Sequence, residues 1–500
     1  ATEVITEKST MFKGILGNLL SPAAVLTINN IKSRVGASTG VWLLALLPFA
    51  CSPGLYTAYS HCHPSPQILA ILGIQVGVCG VHLYKQLCLK CNEGEIIKRK
   101  PPLLQGFLTH PYTPALAAAG ALSILTETNP GLALLSCLLC SRLLYNITQW
   151  LFSSFPGSFS LGEGALVGQA AALTLTTAVH NIIHNLFVYH GKLSEDMQIS
   201  LFIQVAVLLV SGLSCLTFKY SFMCRARNFV PVLCVCGALG AGLASLLMKE
   251  WILNWLIVLC DTPTRLTLMF LWVCLSIFSM VITTCASRAS GITTTVLRKI
   301  YHAVIVVIFA PGILQDPTFT RLAASGAMLF WLLLEVVRVQ DIKPFSGVIT
   351  TAFKIFLDEK DQGKLILSHI YLLAGIATPL WLHPCSKSTA FQDLGSRELA
   401  LLAGVLSVGI GDAAASIGGT YFGRRKWAGT KKTIEGSLCS LFAMLGCVGG
   451  LSVLEFVTVP GALWGRLVVS SVMVAIVEAL TDQVDNIVLP LLLYTPLMDP

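Results

Sequence analysis

The chain has 500 residues, of which 55% are hydrophobic and 12% are charged, and its formal net charge is +8. Soluble domains carry about 25% charged residues, so this composition excludes a water-soluble globular protein and predicts a surface that faces lipid. The basic residues lie in short loops between apolar runs, which is typical of loops held on the cytosolic side of a membrane and not of nucleic-acid binding.

Apolar runs of about 18 to 22 residues recur along the chain, and each is long enough to cross the hydrocarbon layer as a helix. We therefore predict an all-α, polytopic integral membrane protein with about 13–16 transmembrane helices. In chain order, the predicted spans are 41–58, 67–88, 106–127, 130–152, 162–188, 197–218, 229–247, 265–286, 300–314, 321–337, 365–382, 399–411, 437–456, 463–480 and 486–497.

The composition of the loops changes near residue 290. Loops before this point are short and poor in charge, whereas loops after it carry most of the clustered charged residues. We therefore predict a lipid-facing half at 1–290 and a catalytic half at 291–500. Counting spans between the basic loops places these loops and the clustered acids on one face, which the excess of lysine and arginine predicts to be cytosolic.

The segment 411–436, GDAAASIGGTYFGRRKWAGTKKTIEG, combines five basic residues, two acids and six glycines. Glycine lets backbone N–H groups approach an anion closely, and lysines add charge for a polyphosphate. An acid within so basic a segment, Asp412, is best explained by a divalent cation shared with the phosphates. We predict a nucleotide-binding loop, and a basic topogenic loop without a ligand is the alternative.

Neither familiar nucleotide motif describes this segment. Gly409-x-Gly411-x-x-Ala414 matches the dinucleotide fingerprint only formally, because that motif needs a preceding strand and a soluble βαβ unit. Gly418-x-x-x-x-Gly423 is followed by two arginines, where a P-loop needs lysine and then serine or threonine.

A second cluster of acids, Glu478, Asp482 and Asp485, has the spacing i, i+4, i+7. This spacing predicts three carboxylates on one face of a helix, where they repel one another unless a cation offsets them. We predict a Mg²⁺ site opposite the basic loop, with a solvated helix end as the alternative.

Two smaller charged groups stand apart from these clusters. Arg298, Lys299 and His302 form one group, in which Arg298 and His302 lie one helical turn apart, and this group predicts either phosphate contact or an interfacial anchor. The charge run 358–361 is more typical of a solvated loop.

Four separated segments resemble the CTP-dependent polyprenol (dolichol) kinases. They are RKIYH at 298–302, FLDEKDQGKLILSHIYLL at 356–373, GDAAASIGGTYFGRRKWAGTKKTIEGS at 411–437 and VEALTDQVDNIVLPL at 477–491. The resemblance extends over 295–495, and it implies a multi-pass enzyme of the endoplasmic reticulum that phosphorylates dolichol from CTP on the cytosolic face.

The resemblance implies that the CTP-binding loop is Gly411–Gly436, with Lys431, Lys432, Thr433 and Glu435 in its last part. Because phosphoryl transfer needs positioning and charge neutralisation, we further hypothesise roles for individual residues. Lys431 and Lys432 would contact the nucleotide phosphates, Asp412 and Asp485 would hold Mg²⁺ or another divalent cation with Glu478 or Asp482 in support, and Asp485 would take the proton of the dolichol hydroxyl. Asp485, Asp412 and Lys432 are thus the predicted catalytic residues. The predicted nucleotide-binding set is Gly411, Gly423, Arg298, His302, Gly429, Thr430, Lys431, Lys432, Thr433, Glu435 and Gly436.

Three alternatives remain open at this point. One is a kinase for another lipid alcohol, such as phytol or diacylglycerol. The second is a CTP-using lipid cytidylyltransferase, since such enzymes have similar segments, and the third is a transporter. The sequence leaves the acceptor's chain length and the oligomeric state open.

Overall fold

The structure, a computed structural model, describes residues 31–55, 66–90, 113–126, 128–189, 191, 193–288, 294–353, 357, 360–383 and 394–498. Within these ranges the chain is helical, and β-type pairing is limited to two isolated bridges, Arg225 with Lys343 and Lys426 with Thr433. The predicted all-α class is therefore confirmed.

The described residues up to 189, together with 362–364, form one compact unit. Polar side chains secure its helix starts. Ser160 and Glu163 form a capping box, and the buried Arg34 pairs with the same Glu163 at 2.9 Å. Gln169, also buried, donates to the carbonyl of Val76 at 3.1 Å. The helices are α1 (Leu43–Cys51), α2 (Pro66–Lys90), α3 (Thr113–Leu125), α4 (Pro130–Ser154) and α5 (Leu161–Phe187).

The remaining described residues form a second compact unit. Its helices are α6 (Glu195–Lys219), α7 (Ala226–Met248), α8 (Ile252–Cys260), α9 (Pro263–Arg288), α10 (Thr294–Gln315), α11 (Pro317–Val339), α12 (Phe345–Phe353), α13 (Ser368–Leu382), α14 (Leu394–Leu401), a π-helix (Val405–Asp412), α15 (Ala413–Phe422), α16 (Ile434–Val453), α17 (Gly461–Leu480) and α18 (Asp485–Met498). The link between α15 and α16, Gly423–Thr433, is called the hairpin loop below.

In the described part of the chain, nine helices are long and apolar enough to cross a membrane: α2, α4, α5, α6, α7, α9, α11, α16 and α17. Four further apolar helical segments are shorter: Pro114–Leu125 of α3, Lys299–Gln315 of α10, and the whole of α13 and α18. A polytopic membrane protein is therefore confirmed. The total of about 13–16 spans stays a prediction, because it requires the shorter helices to cross as well.

The boundary between the two compact units lies near residue 190. Helix α6 packs against α11, and Arg265 at the start of α9 pairs with Asp316 at 2.7 Å and with Glu195. Helices α6–α9 therefore belong to the same unit as the C-terminal helices. The assignment of 1–290 to lipid contact and 291–500 to catalysis concerns chemistry, and it stays a prediction.

The segment predicted as a loop from Gly411 is helical up to Phe422, which corrects the sequence interpretation. The span expected to end at 411 continues through the π-helix into α15. Glycines on α15 and α16 let these two helices pack closely against each other, and this packing supports the continued helix. A Cβ at Gly418 would lie 2.5 Å from Cys439 Cβ, and a Cβ at Gly436 would lie 2.7 Å from the carbonyl oxygen of Ala415.

Candidate active site

Several helix ends of the second unit meet at one place. Helices α10, α16 and α18 begin there, α17 ends there, and the π-helix joins α15 beside them. Ion pairs connect Lys299 on α10 to Asp412 of the π-helix, and Lys432 just before α16 to Glu478 on α17. Charged residues that lie far apart in the chain thereby form one cluster, which we call the lysine–carboxylate cluster: Lys299, Lys360, Asp412, Lys432, Glu478 and Asp485.

Asp412 is held at the end of the π-helix by two side chains of α10. Lys299 Nζ donates to Asp412 Oδ2 at 2.6 Å and to its main-chain oxygen at 3.3 Å. His302, which is buried, places Nδ1 3.1 Å from the carbonyl oxygen of Val408 and 3.4 Å from Asp412 Oδ2. Such π-helical turns are rare and are frequent at functional sites. Here α10 supports both the backbone and the carboxylate of the turn.

Lys432 points from the hairpin loop into the cluster. Its Nζ donates to Glu478 Oε1, and the Glu478 side chain is only 2% exposed. Burial by itself would lower the pKa of Lys432, but the charges of Glu478, Asp485 and Asp412 raise it above its usual value. Lys432 is therefore a fixed cation close to three carboxylates.

Asp485 opens α18 and faces a lysine from another loop. Lys360 Nζ lies 3.4 Å from Asp485 Oδ1 and donates to the carbonyl of Gln483 at 2.8 Å. The neighbouring Asp361 accepts from the N–H of Leu367 at 3.0 Å, so the loop that carries Lys360 is anchored at the start of α13.

The prediction that Glu478, Asp482 and Asp485 lie on one face of a single helix is wrong. Helix α17 ends at Leu480 and α18 begins at Asp485, and the fully buried Gln483 lies in the break between them. The charges of Glu478 and Asp485 still both act on Lys432, because α17 and α18 pack against each other on either side of this break. Asp482 is exposed, and its Oδ1 accepts from Gln483 Nε2 at 2.9 Å.

The hairpin loop is ordered by backbone hydrogen bonds. The N–H of Trp427 donates to the carbonyl of Lys432 at 3.0 Å, and the N–H of Ile434 donates to that of Arg425 at 2.8 Å. Gly429 lies at the turn with φ of 76°, a conformation that favours glycine. Alone among the six glycines of 411–436, it has a positive φ.

Three residues predicted to bind the nucleotide shape this loop. Glu435 accepts from the N–H groups of Arg424 and Arg425, both at 3.1 Å. Thr433 caps α16 by accepting from the N–H of Gly436 at 3.2 Å, and Thr430 Oγ1 accepts from the N–H of Lys432 at 3.2 Å. Their contact with a nucleotide stays a prediction.

Glycines at helix contacts serve close packing. A Cβ at Gly423 would lie 2.7 Å from Thr433 Cγ2, and one at Gly411 would lie 3.1 Å from Ser440 Oγ. Their small size is therefore needed by the fold, and a direct approach of a ligand to them stays a prediction. The exposed side of the loop is cationic, since four of its side chains face solvent: Arg424, Arg425, Lys426 and Lys431.

Two lysines of the cluster are not among the predicted site residues. Lys299 belongs to the basic group predicted at 298–302, and Lys360 belongs to the charge run predicted as a solvated loop. The spacing of Lys299 and His302, i and i+3 on one helix face, could have indicated their shared contact. Nothing in the charge run 358–361 distinguishes Lys360 before the fold is known. The side chain of Arg298, and residues 358 and 359, lie outside the described residues.

The carboxylates that would hold a divalent cation are already paired with lysines. Carboxylate oxygens are suitable ligands for Mg²⁺. Yet three lysines face three carboxylates, so the formal charge of the cluster is zero. Among the described residues, no group of three or more His, Cys, Asp or Glu is placed to hold a metal. As arranged, the cluster does not fit a resident metal ion.

The chain is 37% identical over 257 residues to a dolichol kinase of Mus musculus, a match that covers 50% of this chain and 47% of the relative. It is 33% identical over 250 residues to dolichol kinase EVAN of Arabidopsis thaliana, covering 49% and 42%. The dolichol kinase of Saccharomyces cerevisiae is 31% identical over 188 residues, covering 37% and 33%.

No family model and no solved structure matches the chain. The chain spans about half the length of the curated relatives it matches. These relatives include mammalian, plant and yeast proteins. The resemblance to dolichol kinases that the four sequence segments indicate is thereby confirmed for about half of the chain.

Proposed function

We propose that this protein transfers the γ-phosphoryl group of CTP to dolichol and yields dolichyl phosphate at the cytosolic face of the endoplasmic reticulum membrane. The similarity to dolichol kinases supports the acceptor. The single structural observation that carries the proposal is the position of Lys432, fixed among Asp412, Glu478 and Asp485 beside an exposed cationic loop. CTP as the donor rests on the resemblance of segment 411–437.

Phosphoryl transfer needs positioning and charge neutralisation more than covalent help from the protein. In the proposed complex, the exposed cations of the hairpin loop attract the triphosphate, and Lys432 contacts its β- and γ-phosphates. Lys432 suits this role because three carboxylates keep it charged and because its side chain remains 43% exposed. It can therefore exchange part of its contact with Glu478 for a phosphate oxygen.

In the proposed chemical step, the dolichol oxygen attacks the γ-phosphorus and the bond to the β-γ bridging oxygen breaks. CDP leaves, and the hydroxyl proton passes to a carboxylate, which we assign to Asp485. Exposed aromatic side chains lie next to the hairpin loop, since Tyr421 and Phe422 at the end of α15 are 79% and 66% exposed. They offer an apolar surface for the polyprenyl tail.

The test uses purified protein with γ-labelled CTP, a divalent cation and dolichol. Lys432→Ala and Asp485→Asn should each lower the transfer of label to lipid about 100-fold or more, the usual size of a lost acid–base or phosphate contact. Lys219→Ala, at the exposed end of α6, is the matched charge control and should retain near-normal transfer. Near-normal turnover in both site variants would refute the assignment.

The products separate this proposal from its enzyme alternatives. A kinase yields CDP and a labelled lipid phosphate, whereas a lipid cytidylyltransferase releases labelled pyrophosphate. Offering phytol and diacylglycerol beside dolichol identifies the acceptor. A transporter would give neither product, and the position of the charged cluster at helix ends, not in mid-span, does not favour one.

A further inference from the structure

Two lysines occupy the carboxylates to which a divalent cation was expected to bind. Lys299 lies 2.6 Å from Asp412 Oδ2, and Lys360 lies 3.4 Å from Asp485 Oδ1. Both lysine side chains are mostly buried, at 20% and 30% exposed. These pairs therefore differ from the exposed surface ion pairs that contribute little.

Each lysine is also fixed by a second acceptor. Lys299 donates to the main-chain oxygen of Asp412, and Lys360 donates to that of Gln483. The second hydrogen bond holds each ammonium group at the carboxylate even when one contact lengthens. Each lysine therefore donates to two acceptors in one segment of the chain, which fixes its position in the cluster.

A lysine and a metal ion compete for the same carboxylate oxygen. Mg²⁺ binds oxygen at about 2.0–2.1 Å and favours octahedral geometry, so an ammonium group hydrogen-bonded to that oxygen stands in its way. The positive charges of the ammonium group and the metal ion also repel each other when both lie at one carboxylate, and burial strengthens this repulsion. Asp412 additionally faces His302, and Asp485 and Asp412 both act on Lys432.

We propose that the nucleotide-free protein holds no divalent cation of its own, because Lys299 and Lys360 occupy Asp412 and Asp485, and that the cation enters only as a complex with the nucleoside triphosphate. Phosphate oxygens then supply the ligands that the protein lacks. This inference rests on the proposed function in one respect, that the ligand of the hairpin loop is a nucleotide. The two lysines exclude a free cation. They also give the cluster a formal charge of zero, so it does not repel an anionic metal–nucleotide complex.

Equilibrium dialysis of the purified full chain with Mn²⁺ alone tests the inference. The wild type should bind no stoichiometric Mn²⁺, and addition of the non-hydrolysable analogue β,γ-methylene-CTP should produce bound Mn²⁺ and bound analogue together. Lys360→Met should gain Mn²⁺ binding without nucleotide, tighter than the wild type by about tenfold or more. Asp485→Asn in the Lys360→Met background should abolish the gain and so locate the ion.

Lys431→Met is the matched control, because it removes the same charge from the exposed side of the hairpin loop and should not gain Mn²⁺ binding. Lys299→Met provides a second, independent variant at Asp412. Stoichiometric Mn²⁺ binding by the wild type without nucleotide would overturn the inference, and so would the absence of any gain in both lysine variants. Labelled analogue in the same chambers reports on the proposed function, since a failure to bind it contradicts that function and the entry of the cation with a nucleotide. The gain of Mn²⁺ binding in the lysine variants without nucleotide tests the exclusion of the free cation independently.

Discussion

Substitutions at the contact between Lys432 and Glu478 can distinguish its contribution to stability from its contribution to activity. Lys432→Met removes the cation and leaves Glu478 as a carboxylate that is only 2% exposed. Breaking a fully buried pair costs about 3–5 kcal/mol, but water reaches the 43% exposed Lys432 and screens the pair, so we expect a loss of about 1–2 kcal/mol. Lys432→Met/Glu478→Gln should recover most of this loss, because the uncompensated charge is gone.

The assay combines thermal unfolding in detergent with transfer of label from CTP to dolichol. The single variant should unfold at a lower temperature than the wild type, and the double variant should unfold close to it. Both should remain inactive, because neither can contact the phosphates. Lys431→Met controls for loss of a neighbouring charge and should unfold like the wild type, since Lys431 is exposed.

Two results would refute this reasoning. An unchanged unfolding temperature in Lys432→Met would show that the ion pair does not stabilise the fold. Recovery of turnover in the double variant would show that Lys432 acts by neutralising Glu478, and that it has no role at the phosphates.

Three further predictions concern packing, the base and the loop. Gly436→Ala should destabilise the protein by about 1–3 kcal/mol because its Cβ would meet the carbonyl oxygen of Ala415 at 2.7 Å, whereas Gly446→Ala on the same helix, with open space around it, should be neutral or stabilising in thermal unfolding. Asp485→Asn should lower turnover about 100-fold or more with little change in the binding of the CTP analogue, because it removes a proton acceptor. Glu435→Gln should weaken that binding, because Glu435 holds the N–H groups at the start of the hairpin loop.

Each of these has a contradicting result. Equal unfolding temperatures for Gly436→Ala and Gly446→Ala would mean that α15 and α16 do not pack closely in the protein. A loss of analogue binding as large as the loss of turnover in Asp485→Asn would remove its assignment as base. Unchanged analogue binding in Glu435→Gln would show that the loop keeps its shape without this carboxylate.

The hydrophobic pattern predicted the positions of long helices well. It predicted the helix ends near the charged residues less well. The spans expected at 130–152 and 197–218 appear as Pro130–Ser154 and Glu195–Lys219. Length and hydropathy suffice there, because a helix in lipid must satisfy its own backbone hydrogen bonds. The same reasoning placed the end of a span at 411, yet α15 continues to Phe422 because its glycines accept the close contact with α16.

By itself, the sequence determined a polytopic helical membrane protein and the basic, glycine-rich segment at the centre of its proposed site, because hydropathy and charge are properties of local composition. Only the tertiary structure decided which charges meet. It turned Lys432 toward Glu478, broke the helix before Asp485, and brought Lys299 and Lys360 to the two aspartates. Such pairings join residues more than 40 positions apart, and no periodicity along one helix can encode them.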